Sequence, residues 1–197
     1  MTTAEMIKRC PDMAKITQSV LLKVIHKIGY SEFDKFAIEL YEKNHPGVPS
    51  FGDITKIDPH AIPNFDLFTG GFPCQPFSKA GFQKGFDDDR GNLFFNICDI
   101  IKKHNPKYLL LENVRNLSGP RHAHEWAFIV QSLRKIGYKV SMKPFVVSPH
   151  RIPPSFGGTP QARERVFIVG TYVPTNLRKS VDFDEPLVFP SYFDSWD

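Results

Sequence analysis

Three short stretches carry side chains that could do covalent chemistry together. Cys74 stands in Gly71-Phe72-Pro73-Cys74-Gln75-Pro76-Phe77-Ser78, just past the apolar run Asp66-Leu67-Phe68-Thr69-Gly70. A thiol in a glycine- and proline-rich loop beyond a buried strand can be held rigidly and still be reached. A nucleophile needs that and a core thiol does not. Leu109-Leu110-Leu111-Glu112-Asn113-Val114 puts a carboxylate at the end of a second apolar run. Pro160-Gln161-Ala162-Arg163-Glu164-Arg165 puts two guanidiniums before a third, Val166-Phe167-Ile168-Val169. Thiol, acid and arginine at three strand ends could be brought together by one sheet. The chemistry these types offer is nucleophilic catalysis by a thiolate.

The elements that must position them alternate along the chain. Phe36, Ala37, Leu40 and Tyr41 fall at helical spacing and stop at Asn44-His45-Pro46-Gly47. A short strand covers Asp66 to Thr69. Leu93, Phe94, Ile97, Ile100 and Ile101 make a helical stripe ending before Pro106. Tyr108 to Leu111 is a continuous apolar strand, as expected with both faces covered. Trp126, Ile129, Val130, Leu133 and Ile136 make the next stripe, stopped by Gly137. Lys139 to Val147 is expected to be extended, and Val166 to Val169 to be a buried strand. Residues 1–28 carry Ile16, Val20, Leu21, Val24, Ile25 and Ile28, which suit an amphipathic helix, while Lys23 to Gly29 suits a strand. Strands alternating with helices imply an α/β fold with a doubly wound, mostly parallel sheet. Such sheets bind ligands beyond the carboxyl ends of their strands, where Cys74 and Glu112 fall.

Composition sets the bounds. The 197 residues suffice for one domain with a real core, and 41% hydrophobic and 23% charged residues are ordinary for a globular protein. Eighteen phenylalanines argue for a filled interior. The net charge of +4 permits a nucleic-acid partner without demanding one. No apolar run is long enough to span a bilayer, and the N-terminus lacks a signal-peptide layout. Cys10, Cys74 and Cys98 are odd in number and far apart, which disfavours disulfides or a zinc knuckle and favours a reducing cytoplasm. Cys98 lies on a helical stripe and reads as structural, as does Cys10. The seven histidines show no metal spacing. Asp87-Asp88-Asp89 has no other ligand types clustered near it, so no metal is expected. Arg163, Glu164 and Arg165 could instead be a solvated charge run.

The three motifs, in this order and each beside a strand, resemble those of the C5-cytosine DNA methyltransferases. The resemblance also takes in Ser31-Glu32-Phe33-Asp34-Lys35, Gly52-Asp53-Ile54 and Lys84-Gly85-Phe86-Asp87-Asp88-Asp89-Arg90-Gly91-Asn92-Leu93-Phe94-Phe95, and runs from Gly29 to Gly170. It implies the Rossmann-like fold of S-adenosylmethionine-dependent methyltransferases, with residues 29–170 as the catalytic domain. Residues 1–28 are then a divergent head and 171–197 an irregular tail.

The resemblance implies roles as well. Cys74 would attack carbon 6 of cytosine, making carbon 5 nucleophilic enough to take a methyl group. Glu112 would sit against ring nitrogen 3, and Arg163 would bind the 2-oxo group with Arg165 and Gln161 in support. S-adenosylmethionine would be the methyl donor. Glu32 would bind its ribose hydroxyls, Phe33 would pack on adenine, and Asp53 with Ile54 would meet the adenine edge. Phe72, Pro73 and Leu93 would complete the pocket wall. The substrate would be double-stranded DNA with the target base flipped out of the helix. Residues 75–92 would form the loop that closes on it, using Gln75, Ser78, Lys79, Lys84 and Arg90.

Two departures from the family pattern qualify these expectations. No glycine precedes Gly29, so the glycine-rich turn that holds the methionine part of the donor is missing and the fold is expected to be incomplete at its N-terminus. The chain also stops about thirty residues after Arg165, without the region that reads the target sequence. A second polypeptide supplying recognition and an eroded fragment both fit this pattern. A non-catalytic DNA-binding module and a transfer-RNA cytosine-5 methyltransferase stand as the other readings. The expected location is the cytoplasm of a bacterial or phage-infected cell, at the nucleoid.

Overall fold

A computed structural model describes residues 27–73 and 93–185. Helix α1 (Lys35–Asn44) begins at Asp34, whose carboxylate accepts from the Ala37 amide at 2.8 Å and so satisfies one of the helix's free donors. It ends at His45, ahead of Pro46 and Gly47. Before it, Tyr30 forms a lone parallel bridge with Ser50 after it. Next come strand β1 (Leu67–Gly71), helix α2 (Leu93–His104), strand β2 (Tyr108–Val114) and helix α3 (Ala123–Ile136). Strands β3 (Tyr138–Val140), β4 (Phe145–Val147) and β5 (Arg165–Tyr172) complete the set. Short 3-10 turns fill several of the connections.

The described strands form one sheet in the order β1-β2-β5-β3, with β4 also on β5. β1 and β2 are parallel, and β5 is antiparallel to β2, β3 and β4. Four strands therefore point one way and β5 alone is reversed. This reversal puts the start of β5 at the same sheet edge as the ends of β1 and β2, as the register Gly71↔Glu112, Glu112↔Phe167 and Val114↔Arg165 shows.

The core lies between that sheet and helices α2 and α3. Phe94, Ile97 and Ile101 of α2 and Ile129, Val130 and Leu133 of α3 pack with Leu109, Leu111, Val166 and Ile168 of the strands. α3 stops where its stripe stops. Gly137 takes φ 116°, its amide caps Leu133 and Arg134, and an added Cβ would strike the Arg178 guanidinium.

The structure departs from the sequence expectations in three places. β2 runs on through Glu112 to Val114, and its burial alternates. Leu109 and Leu111 are fully buried, whereas Tyr108 is 51% and Leu110 38% exposed. Among the described residues, helices α2 and α3 cover one face of β2 and the other face is partly exposed, so its apolar run is not evenly buried as expected. The stretch Lys139 to Val147 is two strands, because five steps separate Val140 from Phe145 where β5 takes three from Gly170 to Phe167. The surplus loops out at Ser141–Pro144, and the Trp126 indole pins it by donating to the Met142 carbonyl at 2.8 Å. β5 itself runs from Arg165 to Tyr172, longer at both ends than the expected Val166 to Val169. The helix and strand alternatives for the head fall mainly on residues 1–26, outside the described residues. No described helix is long and apolar enough to cross a membrane.

Candidate active site

The shared sheet edge is built from small, tightly fixed contacts. Gly71 ends β1 opposite Glu112, and a Cβ there would stand 3.2 Å from Glu112 Oε2. Glycine lets the backbone that leads to Cys74 pass directly beside this carboxylate. The next residue, Phe72, is buried with its ring centroid 5.3 Å from that of Phe94. Its carbonyl accepts from Asn113 Nδ2 at 2.8 Å, and Asn113 Oδ1 accepts from the Val114 amide at 2.8 Å. Asn113 thus ties the end of β2 to the chain just before Pro73. Cys74, Gln75, Ser78, Lys79, Lys84 and Arg90 lie outside the described residues.

Glu112 faces β5 as well. Its Oε1 pairs with Arg165 Nε at 2.7 Å, and Arg165 Nη1 donates to the Glu164 carbonyl at 2.8 Å. The pair is partly open to solvent, with side-chain exposures of 39% and 24%. It fixes one carboxyl oxygen and leaves the other toward Gly71. Glu164 is about one-third exposed and is paired rather than free. Its carboxylate pairs with Arg115 at 2.9 Å and Arg151 at 3.5 Å. Arg163 lies two residues before β5 with an exposed side chain, and its amide donates to Ser148 Oγ at 2.9 Å. Gln161 is exposed on the same connection.

The second group of expected residues surrounds α1. Glu32 Oε1 accepts from the Phe33 and Asp34 amides at 2.8 and 3.0 Å, which leaves Oε2 for another donor. The Phe33 ring is 76% exposed. Asp53 caps the turn Ile54–Lys56, where its Oδ1 accepts from the amide and hydroxyl of Thr55 at 2.9 and 2.8 Å. Those bonds, the amide's first, hold the Asp53 carboxyl below its ordinary range, with Lys56 at 3.8 Å helping. Ile54 and Leu93 pack on the core, and Pro73 is exposed. Two acceptor oxygens and a bare aromatic face suit an adenosine, which offers ribose hydroxyls, an amino group and a flat ring. By donor set, these residues fit S-adenosylmethionine.

Asn113 and Ser148 have no place in the sequence reading, and one of them was findable there. Asn113 shares the parity of Leu109 and Leu111, so it must turn inward, where a polar side chain needs partners. Ser148 gives no comparable signal, since its partner Arg163 is fifteen residues on. Burial pushes the Cys98 thiol far above the usual range for a cysteine, as befits a core residue rather than a nucleophile. No cluster of three or more metal-ligating side chains occurs among the described residues.

Comparison with known proteins gives a consistent picture. The family model described as "C-5 cytosine-specific DNA methylase" matches residues 15–188. The type II methyltransferase M.AluI of Cellulosimicrobium cellulans is 50% identical over 155 residues, covering 75% of this chain and 29% of that protein. M.NgoBI of Neisseria gonorrhoeae is 41% identical over 174 residues, covering 83% and 52%. The chain therefore spans 29% to 52% of the length of these two curated relatives. Among solved structures, a variant of DNMT2 from Spodoptera frugiperda aligns with a TM-score of 0.53 at 22% identity, over 74% of this chain and 42% of that one. Dnmt2 from S. pombe aligns with a TM-score of 0.52 at 23% identity, over 77% and 44%. At that identity the likeness concerns the fold alone.

Proposed function

Because the chain belongs to the C-5 cytosine-specific DNA methylase family, we propose that it methylates carbon 5 of a flipped-out cytosine in duplex DNA. The observation that carries this reading is the meeting of three strand ends. Gly71, three residues before Cys74, is the register partner of Glu112, and Glu112 is held by Arg165 at 2.7 Å.

In this reading the thiolate of Cys74 adds to carbon 6, forming a sulfur–carbon bond and pushing an electron pair toward carbon 5. Glu112 lies against ring nitrogen 3 and, by donating a proton there, neutralises the negative charge that arises as sulfur adds, with its carboxyl oriented by Arg165. Arg163 holds the 2-oxo group, with Gln161 beside it. S-adenosylmethionine supplies the electrophilic methyl group. Loss of the carbon-5 proton to a base then restores the double bond as the sulfur–carbon bond breaks, which frees Cys74 for another turnover. Glu32, Phe33, Asp53 and Ile54 bind the donor's adenosine, and Phe72, Pro73 and Leu93 back its pocket. Gln75, Ser78, Lys79, Lys84 and Arg90 meet the DNA. Residues 29–170 are the catalytic unit in this proposal. A second polypeptide for target recognition belongs to it. So does a cytoplasmic, nucleoid-associated location.

The test is transfer of isotope-labelled methyl groups from S-adenosylmethionine to duplexes of pooled sequence. Label on carbon 5 of cytosine, absent with Cys74→Ser, is the expected result. Equal transfer by Cys74→Ser would overturn the reading. Label on transfer RNA but not on the duplex would redirect it.

A further inference from the structure

The Arg163 amide donates to a buried serine just past the neighbouring strand, and this serine has no part in the roles assigned above. Ser148 follows directly on β4, and Arg163 precedes β5 by two residues; the last backbone pair between these strands is Val147↔Arg165. The ladder cannot continue normally, because Pro149 has no amide to give. The serine side chain takes over instead. Ser148 is 1% exposed, and its Oγ accepts from the Arg163 amide at 2.9 Å. The same Oγ lies 2.8 Å from Nδ1 of His150. In the imidazole tautomer protonated at Nε2, Nδ1 accepts the hydroxyl's one proton while the oxygen goes on accepting from Arg163. The carbonyl of Ser148 is also used, by the Arg151 amide at 2.9 Å, so this residue fixes both margins of the connection between β4 and β5.

We propose that Ser148, oriented by His150, is a positioning residue for Arg163. It sets the backbone from which the guanidinium reaches the 2-oxo group of the target cytosine. The inference rests on the methyltransferase reading of Arg163. Ser148 touches no substrate and acts only through residue 163, so its removal alters the chemical step and not the binding of the methyl donor at the α1 side.

The test compares Ser148→Ala, His150→Asn, His150→Ala and Arg163→Ala in the 197-residue chain. It reads single-turnover methyl transfer, KM for S-adenosylmethionine, and hydrogen exchange at the Arg163 amide. Ser148→Ala slows transfer by about tenfold to a hundredfold, the range expected when a binding group is displaced by about 1 Å. It leaves KM for S-adenosylmethionine unchanged and speeds exchange at Arg163. His150→Asn, whose Oδ1 can take the place of Nδ1, keeps the rate near that of the parent, and His150→Ala lowers it. Ser148→Ala causes no further loss when Arg163 is already alanine, because a residue that acts through another has nothing left to act on. An equal loss in the Arg163→Ala background, or no loss in either, overturns the proposal. Should Ser148→Ala fail to fold, the contrast between His150→Asn and His150→Ala decides. Should the 197-residue chain transfer no methyl group without a recognition polypeptide, that outcome bears on the methyltransferase reading and not on this inference. Exchange at Arg163 then still judges this inference, and unchanged exchange in the Ser148 or His150 variants overturns it.

Discussion

Nε of Arg165 lies 2.7 Å from Oε1 of Glu112, joining the first residue of β5 to the carboxyl end of β2. The contact is diagonal in the register, since Glu112 stands opposite Phe167 and Arg165 opposite Val114. It depends on the reversed direction of β5, because a strand running the other way would carry its arginine to the far end of the sheet.

Arg165→Ala separates the role of this pair in the site from its role in stability. The pair is partly solvent-exposed, so its loss destabilises the fold by about 1 kcal/mol or less. Methyl transfer falls by about a hundredfold, since an unanchored Glu112 no longer meets the ring squarely. Urea unfolding and single-turnover rates on the same variant check both numbers. A large loss of stability with an unchanged rate would contradict the assigned role.

Asn113→Ala does the opposite and acts first on stability. It deprives the buried Phe72 carbonyl and the Val114 amide of their partners, at a cost of about 1–3 kcal/mol each if water cannot replace it. The urea midpoint should fall with the slope unchanged. Asn113→Asp should be worse than alanine, because it sets a carboxylate against a carbonyl oxygen.

The strands were legible because apolar runs and turn residues mark them: Gly71 closes β1 and Arg165 opens β5, although β2 runs two residues past Glu112. The helices were legible from their stripes and from stop signals such as Gly137. The direction of β5 was not, since Val166 to Val169 reads the same either way. The split at Ser141–Pro144 was also hidden, because a bulge depends on how many residues the partner strand offers. The burial of both faces expected of β2 failed for a related reason. Its run of leucines records hydrophobicity, while burial follows from where α2 and α3 happen to lie.

Asp53 gives a test in pH. Hydrogen bonds to Thr55 lower its carboxyl in the folded chain. A lowered group adds stability that is present above the unfolded Asp range and is lost as pH falls through the folded midpoint. Carbon-detected titration should place the Asp53 midpoint below the ordinary aspartate range. Thr55→Val removes the hydroxyl and should move it part of the way back, since the amide bond remains.

Phe33→Ala should weaken S-adenosylmethionine binding by about tenfold, in line with the loss of one stacked base. The ring is 76% exposed, so unfolding should be almost unchanged. Calorimetry on both proteins checks this, and equal affinities would remove Phe33 from the donor site.

The central claim is that Cys74 attacks a cytosine held at the edge where Gly71, Glu112 and Arg165 converge. The direct measurement is mass spectrometry of the chain after incubation with 5-fluorocytosine duplexes of pooled sequence and S-adenosylmethionine. Fluorine at carbon 5 cannot leave as a proton would, so the sulfur–carbon bond persists. The account predicts a DNA adduct on the peptide containing Cys74, lost in Cys74→Ser and much reduced in Arg163→Ala. An adduct on Cys10 or Cys98, or none while labelled methyl still reaches ordinary duplex, would contradict it.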